Sequence, residues 1–111
     1  MKNRDIPDKR VIQFQNEAVP KIIEHLDPDQ ILVFGSRAKN LQSDDSDLDV
    51  IIISDKFKEI PFTKRYGMLF SFIQFPIHVD YICYTPEEFE DIKTRSVIIH
   101  DALAGPVIAL V

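Results

Sequence analysis

The sequence has 111 residues, of which 45% are hydrophobic and 28% are charged, a balance typical of a soluble globular protein. This length predicts one domain spanning residues 1–111 and leaves no room for two independent cores. The formal net charge of −5 argues against extended nucleic-acid binding, which needs a surface rich in lysine and arginine.

Two features bear on cellular location. Cys83 is the single cysteine, so the chain cannot form an internal disulfide. The first ten residues are charged and lack an apolar signal core, and no apolar run is long enough to span a bilayer. We therefore expect a cytoplasmic protein without a membrane segment.

Hydrophobic periodicity predicts the elements of the first quarter of the chain. Residues 8–26 place apolar side chains at helical spacing, and Pro20 within this segment predicts a kink or a short break. Residues 31–34 are all apolar and end at Gly35, which is typical of a strand buried on both faces.

A turn, a loop and a second strand are predicted next. Residues 36–39 predict one turn of helix, and Asn40 is tolerated in a left-handed exit from it. A polar loop follows. Residues 47–54 are rich in valine and isoleucine and predict the second strand.

The second half of the chain continues the alternation of helix and strand. It predicts, in order, a helix over residues 62–74, a strand over 77–84, a helix starting after Thr85, a helix over 95–104 and an apolar tail over 107–111. The tail is interpreted either as an edge strand or as an exposed segment that docks a partner. The expected fold class is α+β, with a mixed central sheet of three to four strands flanked by helices.

The helix after Thr85 carries a complete start signal. Thr85 can cap the helix, Pro86 suits its first position, and Glu88 completes a capping box.

The first chemical signal is the pair Gly35-Ser36 at the end of a buried strand. A residue without a Cβ lets the backbone turn tightly and lets a ligand approach closely. Ser36 begins a helical turn, whose amides and positive dipole end favour a phosphate group. Arg37 and Lys39 flank this position, and Arg37 is the better candidate for neutralising a bound triphosphate.

The second signal is a pair of aspartates at the start of a strand. Asp47 and Asp49 are two residues apart, so their side chains point to one face. Two adjacent carboxylates repel each other unless a cation joins them, and such oxygen ligands suit Mg²⁺. A site of this kind can hold two ions, one activating the attacking oxygen and one the leaving group.

A third carboxylate is available in the strand over residues 77–84. Asp80 is costly to bury in an apolar strand without a partner. If the two strands are neighbours, it completes a three-carboxylate metal site and can act as a general base; a solvated or capped structural aspartate is the alternative. His78 faces the same side as Asp80, but we interpret it as a packed or surface histidine.

These residues resemble the nucleotidyltransferase motif of the DNA polymerase beta superfamily. The segments GSRAK at 35–39 and SDLDV at 46–50 are similar to those of the small prokaryotic minimal nucleotidyltransferases. The resemblance implies the nucleotidyltransferase fold, with Asp47 and Asp49 binding metal and Asp80 as the third carboxylate. Gly35 and Ser36 would hold the triphosphate.

The resemblance also implies an activity and a partner. The expected reaction moves a nucleoside monophosphate, AMP, from a nucleoside triphosphate, ATP, to an acceptor hydroxyl with two Mg²⁺ ions. Members of this branch are commonly encoded beside a helical HEPN-domain protein and can act as antitoxins by adding AMP to a tyrosine of that partner. A homo-oligomer is the alternative way of completing the acceptor site.

Other interpretations of the same residues remain open. The spacing of Asp45, Asp47 and Asp49 matches part of a calcium loop, although Val50 and Lys56 replace the glycine and glutamate that such a loop needs. The aspartates could also form a solvated acidic loop. At the level of function, the alternatives are a nucleotide-binding module that neutralises a partner without turnover, and a transferase for a small hydroxylated molecule.

Overall fold

A computed structural model of the chain describes residues 8–39 and 46–111. Its helices are α1 (Lys9–Glu17), α2 (Val19–Leu26), α3 (Phe62–Leu69), α4 (Pro86–Arg95) and α5 (Val97–Ala104), with a short 3₁₀ helix at Asp55–Glu59. Its strands are β1 (Gln30–Phe34), β2 (Leu48–Ile53), β3 (Val79–Tyr84) and β4 (Ile108–Ala109). The predictions for Asn40, for the polar loop after it and for Asp45 lie outside the described residues.

The four strands form one sheet in the order β3-β2-β1-β4. Strand β1 is antiparallel to both β2 and β4, whereas β2 and β3 are parallel. The prediction of an α+β fold with a mixed sheet of three to four strands is therefore confirmed. None of the helices described is long and apolar enough to cross a membrane.

The sheet is covered by apolar side chains on both faces. The larger buried cluster joins α1 and α2 to one face, through Phe14, Ile22 and the strand residues Val33 and Val50. A smaller cluster on the other face joins the sheet to α4 through Phe89. Burial on both faces explains why the sequences of β1 and β2 are nearly continuous apolar runs.

The predicted break in the first helix is confirmed. Helix α1 ends at Glu17 and α2 starts at Val19, with Pro20 in the first turn of α2. Pro20 is tolerated there because the first amides of a helix have no partner within the helix. Asp8 caps α1, and one of its carboxylate oxygens accepts hydrogen bonds from the amides of Arg10 and Val11.

Helix α3 is shorter than predicted. The prediction extended to residue 74, but the helix ends at Leu69. The amides of Phe70 and Ser71 donate to the carbonyls three residues earlier, at 3.1 and 3.0 Å, so the last turn tightens instead of continuing as α-helix. The 3₁₀ helix at Asp55–Glu59, which the sequence patterns did not predict, is capped by the Ser54 side chain.

The apolar tail is part of the sheet. Strand β4 pairs with β1, Ile108 is buried, and the Leu110 amide donates to the Ile31 carbonyl at 2.8 Å. The edge-strand interpretation is therefore confirmed. Val111 remains 41% exposed and β4 lies at the edge of the sheet, so docking of a partner by the tail stays a prediction.

Candidate active site

The sheet topology brings the predicted site residues to one end of the sheet. Because β1 is antiparallel to β2 and β2 is parallel to β3, the end of β1 lies beside the starts of β2 and β3. In the register, Asp49 is opposite Phe34 on one side and opposite Asp80 on the other. The glycine turn and the aspartates are thus neighbours across three strands.

Gly35 and Asp49 are in direct contact. Gly35 has φ of +78°, a left-handed conformation that side chains rarely adopt. A Cβ atom at this position would overlap with the carboxylate of Asp49. Glycine is therefore required here both by the backbone conformation and by the close approach of an acidic side chain.

The turn after Gly35 is close to the predicted helical turn. The carbonyl of Gly35 accepts hydrogen bonds from the amides of Ala38 and Lys39, both at 3.1 Å. The bond from Lys39 has the spacing of an α-helix, although the segment remains a single turn. Ser36 lies at its start and is partly exposed, which leaves it accessible to a ligand.

A group of three side chains could hold a metal ion. Asp47, His78 and Asp80 each offer one ligand atom, and these atoms lie within 4.8 Å of one another. The Nε2 atom of His78 is 2.8 Å from Oδ1 of Asp80. Two oxygen donors and one nitrogen donor fit a divalent cation, with the remaining positions available to substrate or water.

Asp49, also predicted as a metal ligand, is opposite Asp80 in the sheet but is not one of the three donors of this group. Partial burial raises the pKa of its carboxyl, and the charges of Asp80 and Asp47 raise it further. The pKa of His78 is also raised, first by its hydrogen bond to Asp80. Negative charge is therefore concentrated at this end of the sheet, and a cation would relieve the repulsion.

Arg37 lies in a different environment from the one predicted for a phosphate ligand. Its side chain is buried, and Nη1 donates to Oδ2 of Asp8 at 2.8 Å. Nε and Nη2 donate to the carbonyl of Ser46 at 3.1 and 2.8 Å. Direct contact between Arg37 and a nucleotide stays a prediction.

A surface cavity of about 450 Å³ adjoins the group at His78. It lies between the end of α3 and the start of β3, and Phe70, Gln74 and Tyr81 are among its lining residues. Its volume is in the range of small-molecule sites, and its lining is apolar and aromatic with a few polar groups. The site therefore offers an apolar surface next to the metal-donor group.

His78 is the site residue that the sequence interpretation left out. It is two residues before Asp80, so strand alternation already placed the two side chains on the same face. That signal was available, but a single strand histidine is more often packed or exposed than functional. Cys83 is buried, and burial raises the pKa of its thiol to about 12, which is typical of an unreactive thiol.

Carboxylates aligned beside a left-handed glycine turn are an arrangement that suits metal-assisted chemistry on phosphate groups. The nucleotidyltransferase domain family matches residues 17–103, which is most of the sequence. The chain belongs to this family and is a nucleotidyltransferase, an enzyme whose substrate is a nucleoside triphosphate. Such enzymes generally also use a divalent metal, and the donor group at Asp47 is a candidate site for it.

The solved structures that resemble the chain include the following two. A Sulfolobus solfataricus protein with a provisional assignment as a nucleotidyltransferase is 27% identical, with 77% of this chain and 78% of that chain covered and a TM-score of 0.57. BolA1 from Arabidopsis thaliana is 19% identical, with 73% of this chain and 96% of that chain covered and a TM-score of 0.51, which shows likeness of fold alone. Among curated proteins, none matches the sequence significantly.

Proposed function

We propose that this nucleotidyltransferase transfers AMP from ATP to a hydroxyl group of a partner protein of the HEPN-domain type, in an antitoxin-like role. The observation that carries the proposal is the contact between the Asp49 carboxylate and Gly35. It joins the phosphate-binding turn to the row of carboxylates, so a triphosphate bound at one would reach the metal bound at the other. The choice of AMP and of the partner rests on the similarity of GSRAK and SDLDV to minimal nucleotidyltransferases.

The residues of the site divide into two groups by their role in binding ATP. Gly35 and Ser36 hold the β- and γ-phosphates, because the backbone there is open to close approach. Asp47, Asp49 and Asp80 would hold Mg²⁺, as one or two ions, because carboxylate oxygens are the ligands it prefers; two of them, Asp47 and Asp80, belong to the donor group at the end of the sheet. When bound, Mg²⁺ neutralises charge on the triphosphate and favours the departure of pyrophosphate.

Asp80 acts on the acceptor. Its carboxylate orients the acceptor hydroxyl and receives the proton when that oxygen attacks the α-phosphorus. The bond from the α-phosphorus to the bridging oxygen breaks, and pyrophosphate leaves on the opposite side. The hydrogen bond from His78 to Oδ1 of Asp80 keeps the carboxylate oriented. Positioning and charge neutralisation supply most of the rate acceleration.

Exposed apolar side chains support a protein as the acceptor. In α5, Val97 and Ile98 are 73% and 80% exposed, and Phe62 at the start of α3 is 58% exposed. Val97 and Ile98 are adjacent in the chain, and neighbouring exposed apolar side chains commonly mark sites of protein association. A cytoplasmic location, and a homo-oligomer as the alternative assembly, stay predictions.

The reaction can be tested with ATP labelled in its α-phosphate, Mg²⁺ and the product of the neighbouring reading frame, which the proposal expects to be a HEPN-domain protein. We expect mass spectrometry to find AMP on a tyrosine of the partner. Asp47→Asn removes one metal donor and should abolish the transfer. Asp55→Asn is the matched control, because Asp55 is an exposed aspartate just after the other end of β2. Near-normal transfer by Asp47→Asn would refute the mechanism.

The same exposed side chains favour a second candidate function, in which the protein neutralises its partner by binding alone. The two functions are separated by Asp49→Asn. Binding alone predicts that this variant forms a stoichiometric complex and inhibits the partner as well as the unmodified protein does. Catalysis predicts that inhibition is lost while the complex still forms.

A further inference from the structure

Arg37 lies two positions after Gly35, in the turn that follows β1. Its guanidinium is almost fully buried, with side-chain exposure of 4%, and the paired Asp8 carboxylate is 1% exposed. One side of the guanidinium binds Asp8, and the other side, through Nε and Nη2, binds the backbone carbonyl of Ser46. A single side chain therefore joins three parts of the chain.

The anchor of this arrangement is rigid. Asp8 uses its Oδ2 for Arg37, and its Oδ1 accepts the amides of Arg10 and Val11 at 2.7 and 3.1 Å at the start of α1. Both oxygens of the carboxylate are thus fixed. The planar guanidinium, held on two edges, has little freedom to reorient.

The contact of Arg37 with the Ser46 carbonyl lies next to the metal-donor group. Ser46 directly precedes Asp47, and Asp47 is one of the three donors near His78 and Asp80. Asp47 itself is exposed and lies just before β2, so the sheet ladder does not fix it. The hydrogen bonds from Arg37 to the Ser46 carbonyl hold the backbone immediately before this carboxylate.

We propose that Arg37 is a positioning residue, which with Asp8 fixes Asp47 beside the glycine turn and so preforms the metal site. The proposal rests on the proposed function, because it takes Asp47 as a metal donor. It differs from the sequence-based prediction, in which Arg37 itself contacts the triphosphate. Metal binding in the absence of nucleotide distinguishes the two roles. It depends on Arg37 if Arg37 positions Asp47, and it does not depend on Arg37 if Arg37 only contacts the triphosphate.

The test is a titration of the purified protein with Mn²⁺ alone, followed by calorimetry or electron paramagnetic resonance. Arg37→Met should weaken Mn²⁺ binding by about 10- to 100-fold, the effect typical of residues that orient metal ligands. In a double-mutant cycle, Arg37→Met should add little to the loss caused by Asp47→Asn, because both changes act through the same carboxylate.

The chain offers a matched control for the loss of a buried arginine. Arg65 is also buried and pairs with Glu88, but it contacts the carbonyl of Cys83, near the end of β3 rather than its start. Arg65→Met should lower the thermal stability and leave the Mn²⁺ affinity of the folded protein unchanged. An equal loss of affinity in Arg65→Met would show a general effect of instability and would overturn the proposal.

Removing Arg37 alone leaves the Asp8 charge buried without this partner, and the variant could unfold. The pair Asp8→Asn with Arg37→Met avoids this, since asparagine still caps a helix and no charge is stranded. Mn²⁺ binding at the unmodified affinity, in either folded variant, would overturn the positioning role. If the unmodified protein binds no Mn²⁺, the proposed function fails as well, and that outcome is distinct from the first.

Discussion

The space that Gly35 leaves open is filled by the carboxylate of Asp49. The strand end and the acidic side chain can meet because glycine has no Cβ and because its φ of +78° turns the chain away from β1. In the proposed function, this contact brings the phosphate-binding turn and the carboxylates into one site. A change at Gly35 should therefore affect catalysis more than the fold.

Gly35→Ala is predicted to lower both the stability of the fold and the rate of AMP transfer. A Cβ in the left-handed region destabilises the fold by about 1–3 kcal/mol, and its overlap with the carboxylate displaces Asp49. We expect transfer of AMP to fall by at least about 100-fold, as for other small displacements in active sites. Turnover and urea denaturation of the same preparation would measure both effects.

The control is Gly67→Ala in α3. A Cβ at Gly67 would meet no neighbouring atom within 4 Å, and alanine is the better helix former by about 0.5–1 kcal/mol. This variant should be slightly stabilised and fully active. Retention of transfer by Gly35→Ala would show that the contact with Asp49 is not needed for the reaction.

The sequence sufficed to predict that three carboxylates lie close together, but not all their neighbours. Spacing of two residues predicted that Asp47 and Asp49 share a face, and Asp80 lies in the adjacent strand as expected. The pairing of Arg37 with Asp8 joins residues 29 positions apart. Nothing in a local pattern indicates such a partner, because it is set by the packing of α1 against the turn.

At the scale of elements, α3, β3 and α4 are held together by one arginine. Arg65 donates to both carboxylate oxygens of Glu88, at 2.5 and 3.2 Å, and to the carbonyls of Ile60 and Cys83. Glu88 also completes the capping box of α4, accepting a hydrogen bond from the amide of Thr85 at 2.9 Å. The start of α4 is thus fixed to α3 and to the sheet.

Glu88→Gln is predicted to destabilise the protein in a pH-dependent way. The hydrogen bond from Arg65 lowers the pKa of Glu88 below its ordinary value of 4.5. A lowered folded-state pKa means that the stabilisation is complete above the ordinary value and is lost as pH falls through the lowered one. Because the Glu88 side chain is 42% exposed, we expect a loss of about 1–2 kcal/mol at neutral pH.

Urea denaturation at neutral pH and at about pH 3.5 would check the expectation, since the deficit should shrink in acid. Glu90→Gln is the control, because Glu90 forms an exposed ion pair with Lys93 that contributes little. A deficit of the same size at both pH values would contradict the assignment to the charge of Glu88.

Local signals predicted the elements where the chain itself supplies the capping groups. The start of α4 at Pro86 could be predicted from the sequence because Thr85 and Glu88 complete a capping box within four residues. The end of α3 could not be predicted from the sequence, because the helical spacing of apolar side chains continues beyond Leu69. The tightening of its last turn depends on hydrogen bonds that spacing does not indicate.

Across the protein, negative charge is concentrated at the end of the sheet where a metal-bound substrate is proposed to bind. The net charge is −5, and Asp47, Asp49 and Asp80 lie together at one end of the sheet. Like charges opposite each other on adjacent strands lower the stability of the metal-free protein. Such a loss of stability is common where a site serves function. The expectation that residues 1–111 form a single domain stays a prediction, and a single cooperative transition in the melts below would support it.

Asp49→Asn should therefore stabilise the metal-free protein while abolishing transfer. Burial and the charges of Asp80 and Asp47 raise the pKa of Asp49 above its ordinary value of 3.8. With a raised folded-state pKa, the stability contributed by this group is present below the ordinary value and is lost as pH rises through the raised one. At neutral pH the charged carboxylate thus opposes folding. Because solvent screens a partly exposed charge, a neutral amide should add only about 0.2–1 kcal/mol.

Thermal unfolding in a chelator would measure the gain, and unfolding with Mg²⁺ and ATP would measure the loss of ligand binding. The unmodified protein should be stabilised by Mg²⁺ and ATP, because ligands that bind only the folded state raise its stability. Asp49→Asn should show the higher melting temperature in chelator and a much smaller shift with ligand. Asp55→Asn, at an exposed aspartate, should change neither value. A lower melting temperature for Asp49→Asn in chelator would show that Asp49 supports the fold and would remove the argument that its charge is kept for the metal.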